Sequence, residues 1–122
     1  MLYENIRIEN ASQWPIWIGP QQAVYHDQCS LLWPFVPGQH CPVPAEVTWS
    51  GITFRNVSIV GGKFSPGVIL GNESNPIRDL VFDGVVVVDP APKPWKDFYG
   101  PCVGVVGGRA QGGTWPKPTC FE

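Results

Sequence analysis

The polar residues with the clearest potential for chemistry lie together at Tyr25-His26-Asp27. A histidine beside a carboxylate can act as a general acid or base. Adjacent residues rarely orient each other, so a solvated loop is the alternative interpretation. Four aspartates elsewhere have no catalytic motif around them and are typical of turns or solvated positions; they are Asp79, Asp83, Asp89 and Asp97. We therefore predict no catalytic residue in this chain.

Aromatic residues suggest a second kind of chemistry, because aromatic faces can stack on sugar rings. Trp14, Trp17 and Trp33 are the candidates for such a platform. Trp17 alternates with two isoleucines and is predicted to face outward, in a row with Ile69 and Val105. This row could be open to a glycan, or the long loop could cover it. Together with the polar triplet, the candidate carbohydrate contacts are Trp14, Trp17, Trp33, Tyr25, His26 and Asp27.

The four cysteines form two sequence-local pairs, Cys29 with Cys41 and Cys102 with Cys120. Each pair encloses a segment without a strand pattern, which favours two local disulfides among the three possible connectivities. Free buried thiols and a zinc site are the alternatives. No Cys-x-x-Cys occurs, so we predict no metal site and no cofactor.

Three Asn-x-Ser sequons could accept glycans if the protein is secreted, at Asn10, Asn56 and Asn72. Disulfides and sequons together favour an oxidising, extracellular setting. The sequence therefore predicts a secreted protein.

Length and composition restrict the class of protein. The chain of 122 residues fits a single domain. With 15% charged residues and a net charge of −2 it lacks the basic excess of a nucleic-acid binder. No apolar run approaches the ~18 residues of a membrane span. Gly and Pro, 14 of each, indicate many turns between short segments and hence an all-β fold.

A repeat organises these elements. Residues 6–10, 52–59 and 80–87 each alternate apolar and other residues and contain Asn10, Asn56 or Gly84 at a predicted bend. A second pattern of Pro, short apolar strand and Gly follows in residues 14–19, 65–71 and 100–107. Equivalent residues are expected to form ladders, with Ile8, Phe54 and Phe82 inside.

This repeat predicts a right-handed, single-stranded parallel β-helix, a solenoid of about three coils with long loops closed by disulfides. An antiparallel sandwich is the alternative. Residues 1–122 would form one domain, with an inserted loop at 21–44 and a C-terminal cap at 89–122. The edge of the first strand would be bare, which suggests that further coils of a longer solenoid precede it.

The pattern resembles a known superfamily. Residues 52–59 read Ile-Thr-Phe-Arg-Asn-Val-Ser-Ile, and with their flanking copies they resemble coils of the pectin-lyase-like parallel β-helix, most similarly those of polygalacturonase-like glycoside hydrolases. The resemblance covers most of residues 4–88. It implies glycosidic bond hydrolysis by clustered aspartates in the parent family.

The catalytic motifs of that family are missing here. Asn-Thr-Asp, Asp-Asp and Gly-His-Gly do not occur, and Arg7-Ile8-Glu9 matches only part of Arg-Ile-Lys. Our hypothesis is therefore a scaffold and cleft-wall portion of a secreted, polygalacturonase-like protein acting on polysaccharide. The alternative is a non-catalytic carbohydrate-binding or surface structural β-helix module. Expected partners are a glycan and preceding coils, without nucleic acid or membrane insertion.

Overall fold

A computed structural model describes residues 1–19, 45–92, 95–100 and 102–122. This part of the chain consists of strands and turns, without a helix. The strands are β1 (Leu2–Glu9), β2 (Ile16–Ile18), β3 (Ser50–Val60), β4 (Gly67–Leu70), β5 (Ile77–Val88), β6 (Cys102–Val103), β7 (Val105–Val106) and β8 (Arg109–Gln111).

The strands form two parallel sheets. The first has the order β1-β3-β5-β7, with β8 also paired to β5, and the second has the order β2-β4-β6. Over the described residues every pair of strands is parallel, which confirms an all-β chain and makes the antiparallel sandwich wrong for this part. Between β1, β3, β5 and β7 of the first sheet the chain passes each time through one strand of the second sheet, so successive passages of the chain lie in layers.

Residues with left-handed backbone angles bend the long strands at matching positions. Asn5, Asn56 and Gly84 have φ values of 58°, 52° and 76°. Only Gly, Asn and Asp adopt this region readily, because other side chains clash with the backbone there. The Nδ2 of Asn56 donates to the Oδ1 of Asn5 at 2.7 Å, which links two layers at the bend.

This register corrects the predicted ladder. Asn10 has a φ of 50°, as expected of a bend, but Ile6 lies opposite Val57, so the counterpart of Asn56 is Asn5. Ile8 lies opposite Ile59 and not opposite Phe54. Residues 1–5 have the same alternation as residues 52–56 and pair with them in the structure. The predicted ladder had placed residues 6–10 at that position.

The alternating apolar residues form the core between the sheets. Val57, Ile59, Leu80, Phe82 and Val85 are buried, each at most 1% exposed. Burying such side chains fully contributes about 1.5–3 kcal/mol each. The list of aromatic neighbours of Phe82 is Phe54, Tyr99 and Phe121, with ring centroids 5.4, 5.7 and 5.1 Å away.

The segment predicted as a cap contributes strands as well as a cover. Strands β6, β7 and β8 extend both sheets within residues 89–122. Beyond them, Thr114 Oγ1 accepts hydrogen bonds from the amides of Gly84 and Val85, at 2.9 and 3.1 Å. Trp115 exchanges two backbone hydrogen bonds with Val85 and Val87. The sheet edge at this end is therefore partly satisfied by the chain itself.

The bend at Asn56 gives a first prediction. Asn56→Ala should lower the free energy of unfolding by about 2 kcal/mol, because the backbone of an alanine is strained at positive φ and the side-chain hydrogen bond to Asn5 is lost. Asn56→Gly, which keeps the backbone angle, should cost less than about 1 kcal/mol. Urea unfolding of both variants measures the difference. Equal losses would contradict a conformational role for this residue.

Tyr99 carries a polar atom inside this core. Its side chain is 1% exposed, and its hydroxyl has no hydrogen-bond partner among the described residues. A buried hydroxyl without a partner loses its hydration and receives nothing in return. The ring therefore stabilises the core while the hydroxyl opposes it.

A second prediction follows from that imbalance. Tyr99→Phe should raise the free energy of unfolding by about 1 kcal/mol, because the ring stays and the unpaired hydroxyl goes. Tyr99→Leu, which leaves a cavity, should instead lower it by about 2 kcal/mol. Thermal and urea unfolding provide the comparison, and a destabilised Tyr99→Phe variant would show that the hydroxyl is bonded.

The same group predicts a dependence on pH. Burial raises the pKa of the Tyr99 phenol well above its ordinary value of 10.0. Above that value the unfolded chain loses the phenolic proton and the folded chain keeps it, so stability falls as the pH rises. We expect the advantage of Tyr99→Phe over the original protein to widen from about pH 8 to about pH 11. A constant difference across this range would contradict the burial of the phenol.

Candidate functional site

The predicted aromatic platform is partly assembled. Trp14 and Trp17 lie edge to face, with ring centroids 5.3 Å apart. Trp17 is on β2, where it lies opposite Val68. The predicted row of Trp17 with Ile69 and Val105 is therefore wrong. Ile69 lies opposite Ile18 in one layer and Cys102 in the next, because β2 and β4 pair one residue away from the expected register.

Further rings occupy the faces of this platform. Phe64 stacks on Trp14 at 4.7 Å, and Trp95 meets Phe64 edge on at 5.2 Å. We call Trp14, Trp17, Phe64 and Trp95 the aromatic cluster. Trp95 is buried and the other three are half-buried. Such pairs contribute about 0.5–1.5 kcal/mol each beyond burial, so the cluster holds β2 against the turn before β4 and the chain after β5.

The other candidate contacts lie outside the described residues. These are Trp33, Tyr25, His26 and Asp27. Their proximity to the aromatic cluster stays a prediction.

An open cavity lies at one end of the two sheets, between β1 and β2. Its volume is about 300 Å³, and its walls include Tyr3, Ile8, Trp17, Trp49 and Phe54. Sugars are recognised by a few convergent polar groups as well as by apolar walls. Among the described residues this lining consists of aliphatic, aromatic, methionine and proline residues, and the chemistry of this part suits an apolar surface better than a sugar.

A row of alternating charges crosses the first sheet. Glu4, Arg55 and Asp83 lie opposite one another in successive strands. The Nε of Arg55 is 3.2 Å from Asp83 Oδ2, and an Arg55 terminal nitrogen is 4.0 Å from Glu4 Oε2. Both carboxylates are thus partners of one guanidinium. A glycosidase needs one carboxylic acid and one carboxylate facing the substrate, and this row does not provide that arrangement.

No metal site emerges from the same residues. Within the ranges that the structure describes, no three His, Cys, Asp or Glu side chains are grouped so as to hold an ion. Likewise, no helix in those ranges is long and apolar enough to cross a membrane.

The three sequons differ in their surroundings. Asn10 is exposed at a bend. The Nδ2 of Asn56, the atom that a glycan would modify, is the donor of the bond to Asn5. The Oδ1 of Asn72 accepts from the amides of Ser74 and Asn75 at 2.8 and 3.2 Å, in a turn. Glycosylation at any of the three stays a prediction.

One predicted disulfide is confirmed. Cys102 and Cys120 are bonded, with a Cα–Cα distance of 5.4 Å. The bond ties β6 to the C-terminal segment that ends beside the buried ring of Phe121. Cys29 and Cys41 lie outside the described residues.

This bond gives a fourth prediction. Replacing Cys102 and Cys120 together by serine should lower the free energy of unfolding by about 3 kcal/mol, since the two residues are 18 apart in sequence and the unfolded loop is no longer closed. Urea unfolding under oxidising conditions is the measurement. Adding a reductant to the original protein should give a similar loss, and an unchanged midpoint in both experiments would contradict a stabilising role.

Sequence reasoning missed the most exposed ring among the described residues. Trp115 is 53% exposed, although its backbone is bonded to β5. The predicted C-terminal cap, residues 89–122, includes Trp115, but the sequence did not single out its ring as an exposed one. Its backbone partners are distant in sequence and could not be predicted before the layers were known. The following Pro116 is a weaker signal, because proline cannot continue a regular strand.

Comparison with known proteins finds no matching family, no similar curated protein and no similar solved structure.

Proposed function

We propose that the chain is a portion of a parallel β-helix that serves as scaffold and cleft wall in a secreted, polygalacturonase-like protein acting on polysaccharide. The observation that carries the proposal is the stacking of layers in register, with left-handed residues at the same bend in β1, β3 and β5. Repeated parallel layers of this kind present long flat faces, which suit a linear polymer.

The disulfide supports the extracellular part of the proposal. Bonds such as that between Cys102 and Cys120 persist in oxidising compartments and are rare where thiols are kept reduced. Such conditions are those that a polysaccharide-processing protein outside the cell meets.

A second candidate function is binding without catalysis. Arg55 engages the carboxylates of Glu4 and Asp83, while Trp115 exposes an aromatic ring on the surface. An exposed ring can stack on a sugar without any acid or base nearby. Under this alternative the chain holds a glycan and another protein carries out the chemistry.

Both candidates predict that the chain binds oligosaccharides through Trp115 and does not cleave them. Trp115→Ala should weaken binding of oligogalacturonides roughly fivefold, the loss of about 1 kcal/mol of stacking. Trp115→Phe should retain most of the affinity. Titration calorimetry measures binding, and an assay for new reducing ends measures cleavage.

Trp17→Ala is the matched comparison, because it removes the same type of side chain from the aromatic cluster. Loss of affinity in Trp17→Ala alone would move the contact to that cluster, as the sequence analysis predicted. Release of reducing ends by the original protein would overturn the absence of catalysis. Absence of binding to acidic and neutral oligosaccharides alike would overturn both candidates.

A further inference from the structure

A row of side chains crosses the first sheet beyond the bend. Arg7 lies opposite Ser58, and Ser58 lies opposite Val86. Val86 in turn forms a parallel bridge with Trp115. Residues that lie opposite one another in paired strands direct their side chains to the same side of the sheet. We call Trp115, Val86, Ser58 and Arg7 the outer row.

The burial pattern shows that the outer row faces away from the core. Both sequence neighbours of Ser58 are 1% exposed, so Ser58 points to the other side of the sheet. Val86 likewise lies between two buried valines, and Trp115 and Arg7 are exposed at the two ends of the row. The row lies on the flank of the stack. Coils before β1, where the proposed function places them, would lengthen this flank and would not cover it.

The outer row has the length and the groups that a short oligosaccharide needs. Neighbouring strands lie ~4.8 Å apart, so the row spans ~14 Å from the backbone of Trp115 to that of Arg7. The indole of Trp115 can stack on the apolar face of a sugar ring. The hydroxyl of Ser58, within the row, can both donate and accept a hydrogen bond. The row can therefore hold a linear glycan that runs across the strands.

The charges on this flank indicate which class of sugar fits. Arg7 forms an ion pair with Glu9 of its own strand. Glu9 lies opposite Val60, and Val60 lies opposite Val88, in the next row of the same flank. Beyond the bend, β3 and β5 contribute uncharged residues to both rows. A sugar carboxylate would have to compete with Glu9 for Arg7 and would be repelled by Glu9, whereas a neutral sugar needs no cation.

We propose that the outer row binds a neutral linear glycan, with one sugar ring stacked on Trp115 and the glycan running across β5 and β3 towards Arg7. The inference rests on the proposed carbohydrate role, and it adds the class of sugar and the direction in which the glycan lies. An acidic glycan of the galacturonide type fits less well, because the cation of the row is already paired with Glu9.

Titration calorimetry with two forms of one oligosaccharide tests the class of sugar. The probes are a fully methyl-esterified oligogalacturonide, which is neutral, and its de-esterified form, which has the same length and is anionic. We expect the 122-residue chain to bind the neutral ester roughly fivefold more tightly than the acid. Ser58→Ala should weaken binding of the ester roughly threefold, because a hydrogen bond to the glycan is lost. Thr53→Ala is the matched control, since it removes a hydroxyl from β3 before the bend.

A change of one charge tests the role of the ion pair. Glu9→Gln removes the partner of Arg7 and should raise the affinity for the acid roughly fivefold, while the affinity for the ester stays the same. Glu73→Gln is the matched control, because it makes the same change at an exposed turn and should alter neither affinity. Circular dichroism should show that all variants are folded.

The outcomes separate this inference from the proposed function. Equal or tighter binding of the acid by the original protein would overturn the inference alone, and it is the result expected if Lys117, two residues after Trp115, bound the sugar carboxylate. Full affinity in Ser58→Ala, or an unchanged affinity for the acid in Glu9→Gln, would also overturn it while binding itself persists. Binding of neither form would overturn the carbohydrate role and this inference together.

Discussion

The left-handed bend shared by neighbouring layers is the constraint on which the other features depend. A strand that did not turn at Asn5, Asn56 and Gly84 would carry its apolar residues straight past the core. Once each strand turns at the same place, the layers stack in register and the side chains beyond the bend fall above their counterparts. The side-chain hydrogen bond from Asn56 to Asn5 stabilises this shared position of the bends directly. Burial of Val57 and Val85 stabilises it indirectly, because any slip would expose them.

Aromatic contacts stabilise the molecule at two places, in the core between the sheets and on the flank beside β2. Inside, Phe82 meets rings from three other parts of the chain and ties the layers together. On the flank, the aromatic cluster attaches β2 to segments that are distant in sequence. Most rings in the described part of the chain are therefore packed against other rings. Trp115 differs because its backbone is anchored while its side chain stays in water.

The sequence predicted the type of structure better than the detail of the site. Alternation and turn residues were enough for parallel strands, since both reflect local physical requirements. Register was harder, because residues 1–5 and 6–10 both fit the same pattern and only the burial of a whole layer separates them. The predicted partner of Trp17 was wrong for the same reason, because the register of β2 against β4 differs by one residue from the expected one. The pairing of Arg55 with two carboxylates was not predictable from spacing alone, as it joins three strands.

The distances along the chain between stacked residues have an evolutionary consequence. Asn5 and Asn56 meet across 51 residues, whereas Arg55 and Asp83 meet across 28. The two layers nevertheless stack with the same register at the bend. Length can thus be gained or lost between strands without altering the scaffold, so that recognition segments of different sizes can be exchanged while the left-handed residues are kept. A lineage built on such layers can diversify by insertion and deletion between strands as well as by substitution.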